Sequence, residues 1–65
     1  MKAPIVMIAA IRTIPKQKRF KAALLAEKTF YCHLAKNKLD GNFTKEDCIL
    51  MAAEAAAAEI YYQFA

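Results

Sequence analysis

Apolar positions lie on two sides of the C-terminal third of the chain, at spacings that favour a helix. One stripe contains Ile49, Ala53, Ala56, Ile60 and Phe64. A second stripe, well around the same cylinder, contains Met51, Ala55, Ala58 and Tyr62. Alanine has the highest helix propensity, and a helix that is apolar on two sides needs two neighbours. We therefore predict a helix over residues 44–64 that packs against one helix of its own chain and against a second copy.

A second helical pattern runs from about residue 15 to residue 38. Its large and small apolar residues share one arc, which we predict to face the core: Phe20, Ala23, Leu24, Tyr31, Leu34 and Ala35. The opposite face is polar and is predicted to be solvated: Lys18, Lys21, Thr29, His33 and Lys36. Pro15 disfavours helical geometry at Ile14, so we expect this helix to begin near the proline.

A short link, residues 37–43, joins the two predicted helices. It contains Gly41, the only glycine of the chain, at a place where helices commonly end in a left-handed residue. Thr44 has the side chain of an N-terminal cap for the next helix, with Asp47 three residues later. Helices joined by so short a link lie antiparallel. The predicted fold class is therefore all-α: an antiparallel helical hairpin, about 15–38 and 44–64, that dimerises into a four-helix arrangement.

Residues 1–14 fit two conformations, and their periodicity does not choose between them. Four β-branched residues favour a strand: Ile5, Val6, Ile8 and Ile11. Helical spacing after Pro4 connects another set: Met7, Ile8, Ile11 and Ile14. A strand would need a partner strand from a second chain, whereas a helix could pack across the hairpin by itself.

The apolar run within this segment extends from Ala3 to Ile11, which is too short to span a bilayer at roughly 20 residues per helix. Arg12 ends the run without the small-residue cleavage site of a secretory signal. We expect neither a membrane span nor export. Binding of residues 1–21 to a membrane surface is a separate hypothesis, because an apolar run is followed there by basic residues.

The chain has 65 residues, 58% of them hydrophobic, and we treat residues 1–65 as one small helical domain. A core of this size gives limited stability, so we expect self-association, with a homodimer as the simplest form. The candidate self-association residues are Ile49, Met51, Ala55, Ala58, Ile60 and Tyr62. Cys32 and Cys48 each lie among apolar residues, which predicts buried thiols in a reducing cytoplasm. A bridge between these two cysteines across facing helices stays open as an alternative.

Charge is unevenly distributed along the chain. Residues 1–39 carry nine Lys or Arg against one acid, for +8, and residues 40–65 carry one lysine against five acids, for −4. Half of residues 12–21 are basic, and we call these the basic cluster: Arg12, Lys16, Lys18, Arg19 and Lys21. A helix start surrounded by cations attracts phosphate groups of nucleic acid. The alternative is that the cluster forms ordinary surface pairs with Glu54 and Glu59.

The sequence lacks the groups that catalysis requires. It contains one histidine and no serine, and Cys32 points about 100° away from His33 on a helix, so a nucleophile–base pair is not expected. Metal-ligand spacings and phosphate-binding glycine loops are also lacking, so we expect no metal and no cofactor.

The sequence therefore predicts a small, non-enzymatic, homo-oligomeric helical hairpin that interacts with an unidentified protein partner or regulates it. Chains of this size and style are common among accessory proteins of bacteria and their phages. The alternative is a nucleic-acid-binding dimer that uses residues 12–21.

Overall fold

The structure is a computed structural model, and it describes residues 4–64. Three α-helices make up this part of the chain: α1 (Ile5–Arg12), α2 (Arg19–Asp40) and α3 (Lys45–Phe64). A single 3₁₀ turn, Lys16–Lys18, leads into α2. Residues 4–64 contain no β-strand, so the all-α prediction is confirmed there, while residues 1–3 of the N-terminal segment lie outside the described residues.

The N-terminal segment is helical from Ile5 to Arg12, so the helix is the correct one of the two conformations that the sequence left open. The Pro4 carbonyl accepts hydrogen bonds from the backbone amides of Met7, at 3.1 Å, and Ile8, at 3.2 Å. At the other end, the Thr13 hydroxyl donates to the Ala10 carbonyl at 2.6 Å. The backbone groups of a helix are satisfied within the segment, so no partner strand from another chain is needed.

Helix α2 begins at Arg19, four residues after the predicted start near Pro15, because a 3₁₀ turn intervenes. Pro15 is followed by the 3₁₀ turn, and the Pro15 carbonyl accepts a 2.9 Å hydrogen bond from the Lys18 amide before α2 begins at Arg19. The helix continues to Asp40, two residues beyond the predicted end, and Gly41 follows with a left-handed φ of 74°. Glycine adopts this conformation without the steric cost that a Cβ imposes.

Helix α3 starts where its cap predicts. The backbone N–H of Asp47 donates to the Thr44 hydroxyl oxygen at 3.1 Å, which satisfies one of the amides that the first turn leaves without a helical partner. Glu46 and Asp47 lie in this first turn, where the helix dipole favours negative charge. The predicted start of this helix is confirmed to within one residue.

Helices α2 and α3 form the expected antiparallel hairpin. They contain 22 and 20 residues, about 33 and 30 Å of helix at 1.5 Å per residue, within a molecule whose longest dimension is 38 Å. The two helices must therefore lie side by side. Helix α1 packs mainly against α3 and less against α2. Helix α3 thus has two neighbours within its own chain, and one of them is the short helix that the sequence left undecided.

Small residues dominate the core between the long helices. On α2 the buried residues are four apart: Ala22, Ala26 and Phe30. On α3 the same spacing connects Cys48, Ala52, Ala56 and Ile60, beside the buried pair Ala53 and Ala57. Residues four apart form ridges on a helix surface, and alanine ridges let two helices approach closely. Met7, Ala10 and Ile14 add the contribution of α1 and its C-terminal end to this core.

The predicted core face of α2 is wrong for its largest residues. Phe20, Leu24 and Tyr31 are 74%, 53% and 51% exposed, and Ala23 and Ala35 are exposed as well. Only Leu34 of that arc is partly buried against the core. Ala22 and Ala26 of α2 face the core instead. Small residues on both helices allow closer packing than the large side chains of the predicted arc would.

Candidate interaction surfaces

The basic cluster surrounds the junction between α1 and α2. Arg12 is the last residue of α1, Lys16 and Lys18 bound the 3₁₀ turn, and Arg19 and Lys21 lie in the first turn of α2. All five predicted residues therefore lie along the segment, residues 12–21, that connects the end of α1 to the first turn of α2. All are exposed except Arg19, which is partly buried.

Arg19 has a structural role that the sequence did not reveal. Its guanidinium Nε donates to the Ile14 carbonyl at 2.9 Å, and its Nη2 donates to the Arg12 carbonyl at 3.2 Å. These carbonyls lie at the C-terminal end of α1, where a helix has unsatisfied acceptors and a partial negative charge. Arg19 therefore connects the start of α2 to the end of α1 through two hydrogen bonds. The sequence signal for this role is Pro15. A helix that ends shortly before a proline leaves backbone carbonyls that need a hydrogen-bond donor.

Glu54 and Glu59, the partners that the alternative prediction gave to the basic cluster, form no ion pair with it among residues 4–64. Within residues 4–64, no lysine or arginine approaches Glu54 or Glu59 to within 4.0 Å. Glu59 instead accepts a 3.0 Å hydrogen bond from the side-chain amide of Gln63. Arg12, Lys16, Lys18 and Lys21 consequently present their charges to solvent.

A second surface runs along the outside of α2. We call it the α2 face, and it consists of Phe20, Leu24, Glu27 and Tyr31. These residues are separated by four, three and four positions, so they lie on one side of the helix. All four are exposed, and the three apolar side chains contact water over half or more of their surface. Lys21 and Lys28 lie beside this face.

A third surface runs along the outside of α3. We call it the α3 face, and it consists of Met51, Ala55, Ala58 and Tyr62. Met51 is 38% exposed and Tyr62 84%, Ala58 is exposed, and Ala55 is partly buried. The other two predicted self-association residues lie elsewhere: Ile60 is completely buried in the monomer core, and Ile49 is packed against that core. The second apolar stripe of the sequence is thus an exposed surface.

Near the link, a shallow open groove lies between the ends of the long helices. It is lined by His33, Lys36, Asn37, Leu39, Asp40, Phe43 and Met51. Asn37 is partly buried and the others are exposed, so the groove is open to solvent. His33 is on the solvent side of α2, as predicted.

The two cysteines differ in environment. Cys48 is buried, as predicted, but Cys32 is exposed on α2, so the prediction of a buried thiol is wrong for Cys32. Both are free, without a disulfide. Cys32 lies outside the core because the helix turns its alanine ridge inward. Within residues 4–64, no three His, Cys, Asp or Glu side chains lie close enough to hold a metal ion.

None of the helices within residues 4–64 combines the length and the hydropathy needed to cross a bilayer. No protein-family model matches the chain, and neither a curated protein nor a solved structure is significantly similar to it.

Proposed function

We propose that this protein acts by binding and not by catalysis, as a small homo-oligomeric helical protein that interacts with or regulates another protein. The observation that carries the proposal is the position of its large apolar side chains. Phe20, Leu24 and Tyr31 line the outside of one long helix, and Met51 and Tyr62 line the outside of the other. Exposed apolar residues that form contiguous stripes are typical of protein-interaction sites.

Helix α3 has both of its helical neighbours within one chain, so self-association is not needed to cover its buried side. Helix α1 supplies the second neighbour that α3 needs, so the buried arc of α3 is covered within one chain. The α3 face remains outside this arc, and the α2 face adds a stripe that the sequence assigned to the core. Self-association is therefore proposed for these two outer faces. Two free cysteines favour a reducing, cytoplasmic location for this role.

Sedimentation velocity over a wide range of chain concentration tests the first part of the proposal. We expect the mass to rise from 7.3 kDa for a single chain to twice that value or more as the concentration increases. A mass that stays at 7.3 kDa at every concentration would contradict self-association. Capture of partners from the native host, with and without nuclease, then separates a protein partner from nucleic acid.

Nucleic-acid binding is the second candidate function, and the exposed positions of Arg12, Lys16, Lys18 and Lys21 favour it. These four residues lie at the end of α1, in the 3₁₀ turn and in the first turn of α2, and none has an acidic neighbour within ion-pair distance among residues 4–64. If they neutralise four phosphates of a duplex, affinity should fall by about 100-fold between about 50 and about 200 mM salt.

A mobility-shift titration with the double variant Lys16→Glu/Lys18→Glu tests this candidate. The matched control is Lys36→Glu/Lys38→Glu, which makes the same change of charge at the other end of α2. The first variant should lose binding and reduce the salt dependence, while the control should retain both. Equal loss in the two variants indicates attraction to net charge alone, and the absence of binding by the wild-type chain at low salt excludes this function.

A further inference from the structure

The α2 face and the α3 face have the same spacing. Phe20, Leu24, Glu27 and Tyr31 are separated by four, three and four positions. Met51, Ala55, Ala58 and Tyr62 are separated by the same intervals. Each face is therefore a stripe of about three helical turns, the length over which two helices of separate chains could pack.

The side-chain sizes on the two stripes are complementary. If the helices run in the same direction, Leu24 comes opposite Ala55, and if they run in opposite directions, it comes opposite Ala58. In both directions the larger central residues of the α2 face meet alanines, while the aromatic residues at its ends meet Met51 or Tyr62. Large residues facing small ones allow close packing of helices, as in a protein core.

The charges beside the two stripes are also complementary. Helix α2 has five basic and two acidic residues, for +3, and helix α3 has one basic and four acidic residues, for −3. Lys21 and Lys28 lie next to the α2 face, three or four residues from its members. Glu54 and Glu59 lie next to the α3 face at the same separations. Contact between two α2 faces would place Lys21 and Lys28 of both chains beside only one acid from each chain, Glu27, which is less favourable than contact with the acidic surroundings of the α3 face.

From these features we propose that the α2 face of one copy packs against the α3 face of a second copy. The inference rests on the proposed self-association and assigns its surfaces. In this pairing the lysines beside the α2 face lie near the glutamates beside the α3 face, which favours it over contact between two identical faces. Glu27, the one acid on the α2 face, must then keep its carboxylate in water at the edge of the contact.

The exposed areas indicate how strong this contact is. At roughly 200 Å² for a large side chain, the exposed fractions correspond to about 350 Å² on the α2 face and about 250 Å² on the α3 face. With an apolar share of about 60%, these surfaces imply an interface of about 1,000 Å² in total, at the lower end for specific contacts. An interface of this size fits a weak contact, so the experiment must extend to high chain concentration.

A contact between two different faces predicts an unusual result when variants are mixed. Phe20→Gln/Leu24→Gln disables the α2 face and leaves the α3 face intact. Met51→Gln/Tyr62→Gln disables the α3 face and leaves the α2 face intact. Each variant alone should be monomeric, with an apparent Kd weakened by about 30-fold or more. An equimolar mixture should recover a complex of one chain of each kind, because each variant supplies the face that the other lacks.

Ile5→Gln is the control. Ile5 is 84% exposed on α1, outside both the α2 face and the α3 face, so its replacement should leave the mass unchanged. Circular dichroism of each variant checks that the helices remain folded, which the exposure of the substituted residues favours.

The outcomes of sedimentation separate this inference from the proposed function. A wild-type chain that is monomeric throughout overturns both. A wild-type oligomer that survives Phe20→Gln/Leu24→Gln overturns the assigned surfaces and leaves self-association standing. If both variants are monomeric and folded but do not associate when mixed, the pairing of α2 with α3 is wrong. Recovery of the complex in the mixture supports it.

Discussion

Asn37 and Cys48 connect the two long helices beside their link: the side-chain Nδ2 of Asn37 donates a hydrogen bond to the backbone carbonyl oxygen of Cys48 at 3.3 Å. Asn37 is partly buried, and Cys48 is 2% exposed. The alanine ridges beyond this point present similar methyl surfaces at successive turns, so a directional contact near the link helps to fix their register.

Replacing Asn37 should weaken the hairpin. We expect Asn37→Ala to lower the free energy of unfolding by about 0.5–1.5 kcal/mol, the net value of one intramolecular hydrogen bond. Urea unfolding followed by circular dichroism measures the change, at equal chain concentration because self-association shifts apparent stability. Asn42→Ala is the control: its amide contacts Asp40 at 3.4 Å on the exposed surface, and we expect a change within about 0.5 kcal/mol. Equal effects of the two substitutions would contradict a special role for Asn37.

Arg19 should differ from the other members of the basic cluster. Because its guanidinium bonds to the carbonyls of Ile14 and Arg12, Arg19→Gln should lower the free energy of unfolding by about 1–2 kcal/mol. Lys18→Gln removes the neighbouring exposed charge and should change it by less than about 0.5 kcal/mol. Thermal unfolding of both variants measures the difference. If Arg19→Gln were as stable as Lys18→Gln, the fastening of α1 to α2 would contribute nothing in solution.

Local chemistry predicts where the helices begin and end. Pro15, Gly41 and Thr44 each act through their own backbone or side chain, and the structure places a helix boundary at or near each one. Helix α1 was not predictable to the same degree, because its β-branched residues and its helical spacing favour opposite conformations. Helix α1 is stabilised by packing against α3, and Met7 and Ala10 are part of the shared core. The residues of α1 alone do not reveal that contact.

The inward face of α2 could not be found from hydrophobicity alone. Phe20, Leu24 and Tyr31 carry more apolar surface than Ala22 and Ala26, yet the alanines are buried and the larger residues are exposed. The deciding factor is the shape of the partner, since the alanines of α3 accommodate another narrow ridge. The same choice exposes Cys32 and creates the α2 face. On α3, where both apolar stripes were recognised in the sequence, the first is in the core and the second is at the surface.

The narrow ridge makes a sharp prediction about volume. Ala26 is completely buried in the core, so Ala26→Leu inserts a larger side chain at a position with no exposed surface. We expect a loss of about 1–3 kcal/mol in the free energy of unfolding, because overpacking forces the helices apart. Ala35→Leu adds the same atoms at an exposed position of the same helix and should be tolerated. Chemical unfolding of both variants compares the two positions. If the two variants had the same free energy of unfolding, Ala26 would not face the core and the orientation described for α2 would be wrong.

Gly41 allows a test of the left-handed residue that ends α2. Its φ is 74°, and a Cβ built on it would have no atom within 4 Å, so replacement introduces backbone strain without a collision. Gly41→Ala should therefore cost about 1–2 kcal/mol, or several degrees in Tm for a domain of this size.

Gly41→Asn should cost less than Gly41→Ala, because asparagine enters the left-handed region more readily than alanine does. Calorimetry at one protein concentration should give the highest Tm for the wild type, a lower one for Gly41→Asn and the lowest for Gly41→Ala. The order distinguishes backbone strain from a loss of flexibility in the link, which would affect alanine and asparagine alike. If Gly41→Ala unfolded at the same temperature as the wild type, the chain would be leaving α2 by a different turn, and the contact between Asn37 and Cys48 would lose the geometry that positions it.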